Sequence, residues 1–74
     1  MWETGALKID GIRFSYDVKY FDEPSKFGIN GGRISKLCIK CGDDIEAMYD
    51  REWVTFPKDD VVMNIFLNLI KQFN

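Results

Sequence analysis

Cys38 and Cys41 are the residues whose type and spacing come closest to a reactive site. Two thiolates at this spacing, followed by Gly42, match one half of a zinc knuckle, in which a hairpin holds a tetrahedral metal. The other half is missing, because the chain has two cysteines and no histidine. A four-ligand site would therefore need two chains to share one ion. The pair also falls on a predicted strand, whereas redox-active pairs usually precede a helix. We expect free thiols, no metal site and no cofactor.

No other group of residues has the pattern of a catalytic site. General acid–base or nucleophilic catalysis needs a base with a positioned partner, and without histidine the only candidates are scattered carboxylates. Gly28, Gly31 and Gly32 followed by Arg33 offer backbone N–H groups and a guanidinium to an anion. The established glycine-rich phosphate motifs require a helix directly after the loop, and here a strand is predicted. The sequence therefore predicts a protein that is not an enzyme.

Composition indicates one folded domain over residues 1–74. The apolar share of 46% and the aromatic share of 15% are typical of globular proteins. A net charge of -2 argues against binding to nucleic acid by bulk positive charge. No secretion signal and no run of about eighteen apolar residues is present, so we expect a cytoplasmic protein without a membrane span.

The elements that position these residues are predicted from side-chain periodicity. Strict alternation over Ile12–Tyr20 predicts a strand. Its apolar face carries Ile12, Phe14, Tyr16, Val18 and Tyr20. Trp2–Ile9 is predicted to be a first strand of uncertain register. An Asp10-Gly11 turn joins this strand to the strand over Ile12–Tyr20. A further hairpin runs from Gly32 to Pro57 as two strands.

The register of this hairpin follows from charge pairing. Opposite charges come together when Lys36 is placed opposite Asp50 and Lys40 opposite Glu46. This register leaves Gly42-Asp43-Asp44 as the loop. A helix follows over about Asp60–Phe73, capped by Asp59 or Asp60. The fold class is α+β, a four-stranded antiparallel meander sheet packed by one C-terminal helix, ββββα.

The predicted helix has more apolar surface than one small sheet covers. Its apolar residues span an arc of roughly 200°, where a surface helix needs about 100°. The apolar flank formed by Met63, Leu67 and Ile70 is therefore predicted to be the interface of a two-fold homodimer.

The connection after the second strand is the longest in the chain, and long ordered loops often carry function. The simpler interpretation is a second hairpin turn at Asn30-Gly31-Gly32 with Phe27 and Ile29 tucked under it. The functional interpretation is a protein-binding surface formed by the loop and the outer edge of the central hairpin. Its candidate residues are Ser25, Phe27, Ile29, Asn30, Arg33, Asp50 and Arg51.

Three segments carry a resemblance to a known family. Ser25–Ile29, Gly32–Leu37 (Gly-Arg-Ile-Ser-Lys-Leu) and Tyr49–Trp53 (Tyr-Asp-Arg-Glu-Trp) are similar to a family of small uncharacterised proteins of Gram-positive bacteria and their phages. The resemblance implies a phage or mobile-element accessory protein that binds a host protein, such as a component of host defence. We accordingly expect a non-enzymatic protein-interaction module.

The predicted order of strands and helix also resembles the single-stranded DNA-binding coactivator-like fold, whose dimers present a curved sheet to the strand. This resemblance implies the alternative function, a dimeric single-stranded nucleic-acid-binding protein. Its candidate residues on the outer face are Arg13, Lys19, Phe21, Lys36 and Lys40. The acidic residues predicted to pair with these lysines argue against it.

Overall fold

The computed structural model describes all 74 residues as one antiparallel sheet and one helix. The five strands follow one another across the sheet in chain order, as an open meander. They are β1 (Trp2–Ile9), β2 (Ile12–Tyr20), β3 (Ile34–Cys41), β4 (Asp44–Asp50) and β5 (Trp53–Thr55), followed by α1 (Asp60–Phe73). The α+β class, the meander and the C-terminal helix are thus confirmed, whereas the prediction of four strands is wrong.

The first hairpin has the strands and the turn expected from the sequence. Asp10 and Gly11 adopt φ angles of 52° and 80°, the left-handed pair that a two-residue hairpin turn requires. The register, left open by the sequence, places Ile9 opposite Ile12 and Trp2 opposite Lys19 without a shift.

The central hairpin follows the predicted register at one end only. Lys36 pairs with Asp50 as expected, but a bulge after Ile39 places Ile45 opposite Lys40. The connecting loop is therefore the two residues Gly42-Asp43, and the predicted pairing of Lys40 with Glu46 is wrong. Because a bulge changes the face on which the following side chains lie, Ile45 is 45% exposed instead of buried with the core.

The fifth strand arises from a turn that the sequence pattern does not indicate. The chain reverses after Asp50 because Arg51 adopts a left-handed φ of 62°. The N–H of Arg51 donates to the Ser35 carbonyl at 3.0 Å, which fixes this turn against β3. The segment expected to continue one strand to Pro57 instead folds back, so that Trp53 pairs with Tyr49.

The core lies between one face of the sheet, here called the inner face, and α1. Its twelve buried apolar residues come from β2, β3, β4, the loop before β3 and the helix. The Asp59 carboxylate accepts a hydrogen bond from the Val62 N–H at 2.8 Å, so Asp59 caps the helix as predicted. The opposite face of the sheet, here called the outer face, has no helix over it. The one helix, α1, is too short to cross a membrane.

The loop between β2 and β3 is held by the last residue of the chain. Asn74 accepts a hydrogen bond from the Ile34 N–H and donates one to the Ile29 carbonyl, both at 3.0 Å. Ile29 is buried in the core, and Asn30 and Gly31 take left-handed φ angles of 54° and 70° in a short 3-10 turn. The loop is thus an ordered part of the domain.

Candidate functional site

One candidate surface, here called the loop corner, consists of Ser25, Lys26, Phe27 and Arg51. The Phe27 ring is 46% exposed, with the Lys26 Nζ 5.3 Å and the Arg51 guanidinium 4.8 Å from its centroid. The backbone of Phe27 is fixed on both sides, since its N–H donates to Ser25 Oγ at 3.1 Å and its carbonyl accepts from the Tyr49 hydroxyl at 2.8 Å. The sheet and the loop therefore fix the backbone of a half-exposed aromatic residue that has two cations near its ring.

The other residues predicted to bind a partner lie elsewhere. Ile29 is 1% exposed, so it anchors the loop and is not available to a partner. The simpler interpretation of the loop is therefore right for Ile29 and wrong for Phe27, which it also placed under the loop. Arg33 lies over the Tyr20 ring at 5.7 Å. Asp50 forms an ion pair with Lys36 at 3.7 Å on the outer face. Asn30 is exposed at the loop turn. Only Ser25, Phe27 and Arg51 of the predicted set are brought together.

A second candidate surface is a groove of about 470 Å³ on the outer face, here called the outer groove. The Trp2 ring lies at its edge, next to Lys19, whose Nζ is 5.9 Å from Trp2 and 5.5 Å from the Phe21 ring. The groove is lined by Trp2, Lys36, Cys38, Lys40, Ile45 and Met48, among others.

The lysines of the outer face are less neutralised than the sequence suggested. Lys19 lies directly opposite Lys36, and Lys8 lies opposite Arg13. The ion pair of Lys36 with Asp50 is the single salt bridge of the chain, and Lys40 faces Ile45 instead of a carboxylate. Like charges directly across a strand pair are destabilising. Asp50 pairs with Lys36, and Asp17 also lines the outer groove.

The two thiols are both partly buried, and no third potential metal ligand forms a cluster with them. No cluster of three or more potential ligands is present. The pKa of the Cys38 thiol is raised above its ordinary value, mainly by burial. Lys40 lowers this pKa and Asp17 raises it, both by smaller amounts. A raised pKa reduces the thiolate fraction of Cys38 at neutral pH, and the thiolate is the form that acts as a nucleophile.

The helix residues predicted to form a dimer interface are only partly free. Met63 and Ile70 are half-buried and pack against the core, whereas Leu67 is 52% exposed. A helix-mediated dimer stays a prediction, with Leu67 as its one largely exposed apolar side chain among the three.

Sequence reasoning missed Trp2, Lys26 and Ile45 as members of the two surfaces. Trp2 reaches the outer face through the register of β1, and Ile45 reaches it through the bulge. Lys26 directly precedes Phe27 in the loop between β2 and β3. This pair of a cation and an aromatic residue is a signal that the sequence does contain.

The fold and these surfaces define a small α+β domain with an open sheet, one covering helix and two exposed surfaces that combine aromatic and cationic side chains. The chain belongs to the family described as a domain of unknown function, DUF7678, whose family model matches residues 1–74. No curated protein and no solved structure matches the chain.

Proposed function

We propose that this protein is a non-enzymatic protein-interaction module and that its partner binds at the loop corner. The observation that supports this proposal is the state of Phe27, a large aromatic that is half-exposed and yet fixed by two backbone hydrogen bonds. Aromatic and arginine side chains dominate the energetic hot spots of protein interfaces. A residue whose backbone is already ordered loses less conformational entropy on binding, which favours affinity.

The charges around Phe27 indicate the chemistry of the partner. Lys26 and Arg51 flank the ring and are both exposed, and neither forms a salt bridge within the chain. A partner that buries Phe27 must place groups beside these cations, and carboxylates meet this need best. The proposed partner surface is therefore an apolar pocket for one aromatic ring with acidic residues at its rim.

The biological setting is also part of the proposal. The resemblance of Gly32–Leu37 and Tyr49–Trp53 to small proteins of Gram-positive bacteria and their phages supports a phage or mobile-element accessory protein. The partner would then be a protein of the bacterial host, such as a defence component.

The test uses two phenylalanines of equal exposure. Phe27 and Phe21 are both 46% exposed and each lies beside a lysine. Proteins captured from host lysate by the immobilised wild type are compared with those captured by Phe27→Ala and by Phe21→Ala. The proposal predicts a protein that is retained by Phe21→Ala and lost by Phe27→Ala, and that binds the purified wild type directly. If folded Phe27→Ala captured the same proteins as the wild type, the loop corner would not be the binding site.

A second candidate function, single-stranded nucleic-acid binding, is favoured by one feature of the outer face. Lys19 lies between two exposed aromatic rings and directly opposite Lys36. Stacking of bases on aromatic rings beside cations is the usual means of binding single strands without sequence specificity. Trp2 and Phe21 would supply the stacking, and Lys19, Lys36, Lys40 and Arg13 the phosphate contacts.

The same pair of variants tests this candidate with their roles reversed. Fluorescence anisotropy of a labelled oligothymidine is measured at low and at physiological salt, since phosphate contacts make affinity fall steeply with salt. Nucleic-acid binding predicts that Phe21→Ala weakens the complex and that Phe27→Ala does not. Absence of binding at low salt would remove this candidate.

A further inference from the structure

The free edge of β1 is the longest unpaired stretch of backbone in the sheet. β1 has eight residues and pairs with β2 alone, whereas β5 at the opposite edge has three. Native proteins usually shorten, bulge or place proline in such an edge, because its free N–H and C=O groups recruit other strands. β1 has no proline, and its pairing with β2 contains no register shift. Its two charged residues, Glu3 and Lys8, lie near the ends of the strand.

The hydrogen bonds of the first hairpin show which groups of β1 are free. Met1 and Tyr20 exchange both backbone bonds, each at 2.9 Å. In an antiparallel pair, bonded and non-bonded residues alternate, so the odd-numbered residues of β1 bond to β2. The even-numbered residues Trp2, Thr4, Ala6 and Lys8 therefore direct their N–H and C=O groups away from the sheet.

We propose that β1 pairs antiparallel with β1 of a second copy, in the register that places Gly5 opposite the partner's Gly5. This two-fold arrangement joins two five-stranded sheets into one of ten strands. It is the only register in which every residue with free groups faces another such residue. Trp2 then faces the partner's Lys8, and Thr4 faces the partner's Ala6, so that all eight free groups form hydrogen bonds.

The side chains at this edge are complementary in the same register. On the outer face, the Lys8 ammonium group comes next to the partner's exposed Trp2 ring, a cation–π arrangement. On the inner face, the partner's Glu3 comes opposite Leu7. Leu7 and Lys71 line one crevice between the sheet and α1, so the partner's carboxylate approaches a cation. One-residue slips would reverse the faces and lose both contacts.

Gly5 and Tyr16 make the centre of this interface possible. The Tyr16 ring lies over Gly5 in the space that a Cβ atom would occupy, and its hydroxyl reaches the sheet edge. Two facing glycines allow the strands to approach at the two-fold axis, and the two Tyr16 rings cover the backbone there. The helix lies over the middle of the sheet and leaves this edge open.

The first test measures the mass in solution and its dependence on the edge. Light scattering at about 0.5 mM protein should give twice the 8.6 kDa mass of the chain. Ala6→Pro removes an outward N–H without touching the bonds to β2, so it should give a monomer, whereas Ala6→Ser should remain a dimer. Leu67→Lys should also remain a dimer, because this proposal replaces the helix-mediated dimer that the sequence predicts. A wild-type monomer, or a dimer lost in Leu67→Lys and kept in Ala6→Pro, would overturn the proposal.

The second test uses wild-type protein and therefore does not depend on a variant that folds. Amide hydrogen exchange is measured residue by residue at low and at high protein concentration. Exchange at Thr4, Ala6 and Lys8 should slow by about tenfold or more at high concentration, while Gly5 and Leu7, already bonded to β2, should change little. Equal and fast exchange of these three amides at both concentrations would contradict edge pairing. Neither test involves the loop corner, so both are independent of the proposed partner.

Discussion

Replacement of Asn74 by alanine should destabilise the domain more than its position at the end of the helix suggests. The side chain forms two hydrogen bonds of 3.0 Å to backbone groups on either side of the loop turn, and both bonds are partly buried. Asn74→Ala leaves the Ile34 N–H and the Ile29 carbonyl without these partners. At about 1 kcal/mol for each bond, the free energy of unfolding should fall by about 2 kcal/mol. For a domain of this size, that loss corresponds to a decrease in Tm of about 8–16 °C.

The assay is thermal unfolding followed by circular dichroism, with Asn64→Ala as the matched control. Asn64 is an exposed asparagine on the same helix and forms no side-chain hydrogen bond, so its replacement should leave Tm unchanged or slightly raised. Amide exchange at Ile34 should accelerate in Asn74→Ala, while Ile39 in the middle of β3 follows only global unfolding. If Asn74→Ala were as stable as the control, the hydrogen bonds of Asn74 would not hold the loop.

Three further predictions concern single sites elsewhere in the chain. Gly28→Ala should lower the free energy of unfolding by about 2 kcal/mol or more, because a Cβ atom there would meet the Gly32 carbonyl. Gly31→Ala has open space around the new Cβ atom but a φ of 70°, so it should lower the free energy of unfolding by about 1 kcal/mol. Chemical denaturation compares the two variants. The rate of Cys38 alkylation by iodoacetamide, measured against pH in a Cys41→Ser background, should reach half its maximum at a higher pH in folded than in unfolded protein, because burial raises the pKa of the thiol. Equal midpoints would contradict the shift. The raised pKa of Cys38 contributes to the stability of the fold at pH values below the ordinary thiol pKa. This contribution is lost as the pH rises through the pKa of the folded protein. Asp50→Asn should change stability by less than about 1 kcal/mol, since the side chains of Lys36 and Asp50 are 41% and 54% exposed; a larger loss in denaturation would show that the ion pair is structural.

The sequence predicts those parts of the fold that depend on local pattern. Strict alternation located β2, the Asp10-Gly11 turn joined it to β1, and apolar periodicity located the helix to its observed ends. Opposite charges correctly paired Lys36 with Asp50. Each of these features is set by residues close together in the chain or directly opposite in one hairpin.

The features that the sequence did not predict depend on contacts between distant residues. Arg51 takes a left-handed φ without being glycine because its N–H reaches Ser35 on β3, and this turn creates β5. The bulge after Ile39 has no glycine to indicate it and moves Ile45 to the outer face. Phe27 and Ile29 look alike in the sequence, yet the first is exposed and the second is buried, since the Tyr49 hydroxyl and Asn74 fix the loop between them.

The proposed protein-binding function is tested most directly by the paired phenylalanine variants. Proteins bound to the immobilised wild type, Phe27→Ala and Phe21→Ala are quantified by mass spectrometry, after circular dichroism has shown that all three are folded. The proposal predicts at least one host protein that binds the wild type and Phe21→Ala equally, falls at least about tenfold with Phe27→Ala, and binds the purified wild type directly. Retention of every bound protein by Phe27→Ala would contradict it.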